Sequence, residues 1–142
     1  MEHPLFRPQF MNYPYPLKID LYHPVYYSKA REMARFGLLA LNKGIWQNDT
    51  ILKDTAYYRA MINTSQNYNL SYGYLWWLNG KSSAMVPFSQ IQYTRKLIPN
   101  APNDLFCALG KNDQKIYVIP SESMVIIRMG SAAYEGETVT VY

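Results

Sequence analysis

The sequence predicts an α+β domain in which helices pack on an antiparallel sheet. Three observations carry this. Residues 28–43 repeat apolar side chains at the i, i+3, i+4, i+7 spacing of one buried helix face. A second helical stretch follows at 53–63. Three short apolar runs, at 105–109, 115–119 and 124–129, are then separated by turn residues, which is the pattern of a meander. At 142 residues the chain is the size of one domain, long enough to bury a core.

Residues 1–27 carry Pro4, Pro8, Pro14, Pro16 and Pro24, too many for a helix, with Tyr13, Tyr15, Tyr22, Tyr26 and Tyr27 between them. This irregular segment is expected to run over a surface and anchor by its rings. The first helix starts at Ser28, a good N-cap, and buries Ala30, Met33, Ala34, Gly37, Leu38 and Leu41, with Arg31 and Arg35 outside that stripe. Gly44 ends it. Gly37 costs about 1 kcal/mol against alanine in a helix interior, so it is expected to mark a close contact with another element.

A turn around Trp46 and Asn48-Asp49 leads to the second helix, with Asp54 near its start and Ala56, Tyr57, Ala60 and Met61 as its apolar face. Residues 71–79, SYGYLWWLN, read as an extended segment. Residues 80–102, with Gly80, three serines, Asn100 and three prolines, read as a loop of functional length. The meander then occupies 104–130, and Thr138 to Val141 alternate before the chain stops.

Composition excludes several classes. Charged residues are 17% of the chain and hydrophobic ones 49%, which rules out a disordered tail. No apolar run is long enough to span a membrane, and MEHPLFRPQF lacks the pattern of a signal peptide. The net charge of +4 is spread among ten carboxylates, an ordinary solvated surface that does not predict a nucleic-acid partner. One cysteine, Cys107, and two histidines, His3 and His23, supply neither a disulfide nor a metal cluster, and no cofactor motif occurs.

Catalytic constellations are equally sparse. Both histidines lie in the proline-rich start, where surface positions are expected, so a Ser-His-Asp set has no base. No serine has a lysine three residues later, and no Y-x-N or K-T-G occurs. Ser65-Gln66-Asn67 spells S-x-N in a polar loop, a tripeptide common by chance. Asn48, Asn63 and Asn69 open glycosylation sequons. Tyr72 to Trp77 offers aromatic rings that serve either as core and subsite wall or as a stacking platform.

Several segments together resemble the serine beta-lactamase and penicillin-binding-protein family, in its class C-like hydrolase and esterase branch. Ser28-Lys29-Ala30-Arg31-Glu32-Met33-Ala34-Arg35-Phe36-Gly37-Leu38-Leu39 is similar to that branch's "S-A-R-D-M-A-R-F-G-L-L" helix, and Asn42-Lys43-Gly44 with Trp46 to its "L-N-K-G-x-W". Tyr72 to Trp77 is similar to "Y-G-Y-L-W-W". Phe106-Cys107-Ala108-Leu109-Gly110, with Gln114 and Pro120, is similar to "F-x-A-x-G-x-x-x-Q-x-x-x-x-x-P". The resemblance spans roughly residues 20–130.

It implies a serine hydrolase that acts through an acyl-serine on a small ester, amide or beta-lactam, without a cofactor, in an exported bacterial protein. It also implies that residues 1–142 are the C-terminal part of one such domain. The family's S-x-x-K and Y-x-N elements would precede Met1 and its last helix would follow Tyr142, so no catalytic residue is expected in this chain. Its third motif, Lys-Thr-Gly or His-x-Gly on the strand beside the active site, falls on Ala108-Leu109-Gly110, where Ala108 replaces the cation. Gly110 would let the backbone approach the substrate. The N–H of Lys111 would be an oxyanion donor, a contribution of about 3 kcal/mol to the transition state. The missing cation counts against a carboxylate-bearing substrate and leaves esters and amides open. The alternative is an inactive module of the same fold that holds a peptide or glycan with Trp76, Trp77 and the tyrosines. The substrate and the oligomeric state are not encoded in any motif.

Overall fold

The computed structural model describes residues 28–87 and 89–131, so the Pro/Tyr-rich start and the Thr138–Val141 alternation lie outside the described residues. The chain is α+β, as its pattern predicts. Helix α1 (Ala30–Leu41) leads through a two-stranded hairpin, β1 (Ile45–Trp46) and β2 (Asp49–Thr50), to helix α2 (Thr55–Met61). Strands β3 (Trp77–Leu78), β4 (Phe106–Leu109), β5 (Lys115–Ile119) and β6 (Met124–Arg128) form an antiparallel sheet in the order β3-β4-β5-β6. The expected meander is present and gains a fourth strand from the aromatic segment.

The cap of α1 sits one residue later than the sequence suggests. Lys29 is the N-cap, and its N–H donates to the Glu32 carboxylate at 2.8 Å, as does the Ser28 hydroxyl at 3.2 Å. These bonds and the nearby cations hold the Glu32 carboxyl below its ordinary pKa, the Lys29 backbone bond being the main cause. The buried stripe is also turned. Met33, Gly37 and Ala40 are buried, whereas Leu38 is 39% exposed and Ala30 is exposed. Gly37 sets this rotation: a Cβ there would stand 2.5 Å from Val125 Cγ1 and 3.1 Å from Ile116 Cγ2. The helix therefore lies on β5 and β6 by its glycine, and Leu38, about 100° further round, faces out.

In α2 the inward ring is Tyr58, while the predicted Tyr57 is half exposed. The Tyr58 hydroxyl donates at 2.8 Å to the Ala40 carbonyl in the last turn of α1, which also accepts from Lys43 N–H at 3.1 Å. Asp54 caps α2 by accepting from Tyr57 N–H at 2.9 Å.

Strand alternation divides the core into two. On the helix side, Leu78, Phe106, Ala108, Ile116, Val118, Val125 and Ile127 pack with Met33, Ala40 and Trp76. Trp76 lies 5.9 Å from Phe36 in a stacked arrangement and 5.0 Å from Phe106 edge-on. On the opposite face Trp77, Leu105, Cys107, Leu109, Tyr117 and Ile119 are covered by Ala84, Leu97 and Ile98 from the 80–102 loop. Asn79 ties that loop down. Its amide donates to the carbonyls of Ile98, Ala101 and Pro102, and its oxygen accepts from Ile98 N–H.

Candidate functional site

The aromatic segment does not run extended over 71–79. Only Trp77 and Leu78 join the sheet, and Tyr72 turns back to pair with Trp77. The reversal has two local causes. Gly73 N–H donates to the Trp76 carbonyl at 2.8 Å, and Leu75 takes a left-handed φ of 64°. Gly73 also lies so close to the Met61 and Asn63 carbonyls that a Cβ could not fit. The turn separates the two tryptophans. Trp76 enters the helix-side core, and Trp77 faces the other side, where the Tyr72 ring meets it edge-on at 4.8 Å.

Trp77 and Tyr72 form one wall of a groove of about 530 Å³. Met85, Val86, Pro87, Ser89 and Gln90 from the long loop form a second wall, and Leu109, Gly110 and Lys111 close the end at the top of β4. Asn69 fixes the loop wall by accepting from Met85 N–H and donating to the Met85 carbonyl. Ser71, fully buried, donates its hydroxyl to the Ser83 carbonyl just before that wall.

The four residues predicted to border a substrate are therefore divided. Leu109, Gly110 and Lys111 line the groove, while Ala108 faces the helix-side core and does not. Gly110 has φ −102° and ψ 172°, an extended conformation open to any residue, so its backbone does not demand glycine. A Cβ at Gly110 would lie 3.3 Å from the Gln114 carbonyl oxygen, a tight but relievable contact. Gly110 N–H donates to that carbonyl at 2.8 Å, which closes the β4–β5 hairpin. Lys111 opens the 3₁₀ turn that follows and is exposed.

Ionisable groups at the groove are few. Lys111 is the one charged side chain among its described lining residues. Beneath it, burial pushes the Cys107 thiol up to about 12, with Lys115 opposing weakly. Burial, with smaller contributions from Cys107 and Asp113, also pushes Tyr117 up to about 12. Neither group is a nucleophile near neutral pH. At the start of β5, where Lys115 pairs with Leu109, Asp113 bridges Lys115 at 2.6 Å and Arg128 at 2.8 Å. Among the described residues no group of His, Cys, Asp or Glu is arranged to hold a metal, and no helix is long and apolar enough to cross a membrane.

The sequence singles out Ala108, Leu109, Gly110 and Lys111 but not the loop wall. Met85 to Gln90 carry no motif, and only their length and lack of periodicity marked them. No family model matches this chain, and no curated protein matches it.

Proposed function

We propose that residues 28–131 are the sheet side of a serine hydrolase of beta-lactamase type, whose nucleophile serine and lysine stand outside this chain. One observation carries the reading. Two segments that resemble the family, Tyr72 to Trp77 and the strand ending in Leu109-Gly110, are 30 or more residues apart yet line one groove. Gly110 then borders the acyl group, and the groove holds what the acyl group carries. Esters and amides fit better than a carboxylate-bearing substrate, since Ala108 stands where the family has a cation and points away from the groove.

The second reading, an inactive binding module, is favoured by the poverty of acid–base groups. Ser89 lines the groove, but its hydroxyl oxygen accepts from Ile91 N–H, and no base stands beside it among the described lining residues.

The two separate in a labelling experiment. This chain and the product translated from the same gene locus, beginning at the first upstream in-frame start, are each treated with a fluorophosphonate probe and assayed with chromogenic esters, anilides and a beta-lactam. The expected result is no labelling of this chain and one labelled serine, within S-x-x-K, in the longer product. A locus with no in-frame S-x-x-K and Y-x-N upstream, or a longer product that turns over none of the substrates, leaves the binding module.

A further inference from the structure

We infer that the groove selects a neutral acyl group with an aromatic body, held against Trp77 and Tyr72, with Leu109 setting how deep that body can go. The inference deepens the proposed function and takes from it only that the groove receives the acyl portion.

The lining dictates the chemistry. Trp77, Tyr72, Met85, Val86, Pro87 and Leu109 give a surface of rings, a thioether and branched carbons. Tyr72 and Trp77 stand at 70° to one another with centroids 4.8 Å apart. This edge-on pair offers a third ring an edge and a face at once, the arrangements aromatic rings prefer. Part of the polar lining is already engaged. Asn69 spends its amide on Met85 and its oxygen on Ser71 and Met85 N–H, and Ser89 accepts from Ile91 N–H. A ligand rich in hydroxyls, such as a sugar, would bury groups against carbon there and lose their bonds to water.

Charge decides further. Among the described lining residues there is no carboxylate and the one charged group is the Lys111 ammonium, so a cationic body meets like charge there. A neutral ring meets no such cost. Size agrees: about 530 Å³ exceeds the roughly 150 Å³ of an apolar cavity that holds benzene, leaving room for the acyl carbonyl beside Gly110.

The test uses the full 142-residue chain and small amides, so it needs no catalytic serine. Phenylacetamide, acetamide, benzylammonium and methyl glucoside are titrated while the indole signals are followed by NMR. Phenylacetamide is expected to bind at least about 5-fold tighter than the other three, the scale of one aromatic contact. Leu109→Arg, which fills the groove end with a charged chain at a half-buried position, should abolish that preference. Tyr72→Ala should reduce it by about 2- to 10-fold. The Trp76 indole, buried in the other core, reports whether each variant remains folded. Equal binding of phenylacetamide and acetamide, tighter binding of benzylammonium or the glucoside, or an undiminished preference in folded Leu109→Arg would overturn the inference. Aromatic preference in this chain without turnover by the longer gene product removes the hydrolase reading alone. Turnover without aromatic preference removes this inference alone.

Discussion

Replacing Gly37 with alanine tests how α1 is seated on the sheet. In an isolated helix the change would stabilise by about 1 kcal/mol, because alanine loses less backbone freedom. Here the new methyl would meet Val125 Cγ1 at 2.5 Å, Ile116 Cγ2 at 3.1 Å and Val125 Cγ2 at 3.5 Å. Carbon atoms rest at about 3.5–4.0 Å, so the closest approach is short by roughly 1 Å. Val125 is stiff at χ1 and its second methyl is already near, while Ile116 is only 4% exposed. The helix must lift instead, and overpacking of this kind costs about 1–3 kcal/mol. The net effect of Gly37→Ala is then a loss of up to about 2 kcal/mol. With Val125→Ala in place most of the clash is gone, and the same change should stabilise by up to about 1 kcal/mol. Urea unfolding of the four proteins in the cycle, with slopes held constant, measures both numbers. A coupling of about 1–3 kcal/mol is expected. Additivity within about 0.5 kcal/mol would mean that α1 does not rest on Val125 through Gly37.

Three further outcomes are expected. Met33→Ala should cost about 2–5 kcal/mol, and Leu38→Ala under about 1 kcal/mol, since Met33 is buried and Leu38 faces out; urea midpoints in the reverse order would restore the stripe read from sequence. On the proposed hydrolase reading, Gly110→Val should lower the kcat/KM of the longer gene product by about 10²-fold while Lys111→Ala does far less. Because Gly110 is already extended and a Cβ there meets the Gln114 carbonyl oxygen at 3.3 Å, the variant's Tm should fall only slightly, and a large drop in Tm with unchanged turnover would assign Gly110 to the hairpin alone. Cys107 should resist alkylation in the folded chain at pH 8. Its pKa rises on folding from 9.0 to about 12, so the neutral thiol is favoured, and stability is complete below pH 9 and falls as pH climbs toward 12. Alkylation at the rate of a free thiol in folded protein would contradict that burial.

The sequence by itself determined whatever short-range physics controls. Apolar spacing located α1 and the three meander strands to within a residue or two, and turn residues separated the strands. Gly37 announced a close contact, because a helix keeps an interior glycine at a cost only where a side chain has no room. Leu109 to Lys111 could be placed at a strand end by counting residues.

Tertiary contact decided the rest. Periodicity gives a stripe but not its rotation, so the exposure of Leu38 depended on Val125, 87 residues further on. Tyr57 and Tyr58 are equally apolar by composition, and the Ala40 carbonyl at the end of α1 chose between them. Y-G-Y-L-W-W has the propensity of a strand, yet the Met61 and Asn63 carbonyls packed on Gly73 turn it back on itself. That turn sends Trp76 to one face of the sheet and Trp77 to the other. The groove depends on this division and on a loop without periodicity, which Asn69, Ser71 and Asn79 fix by bonds to backbone carbonyls 12 to 23 residues away. Bonds at that range leave no regular spacing behind, so only the folded chain brings the groove's walls together.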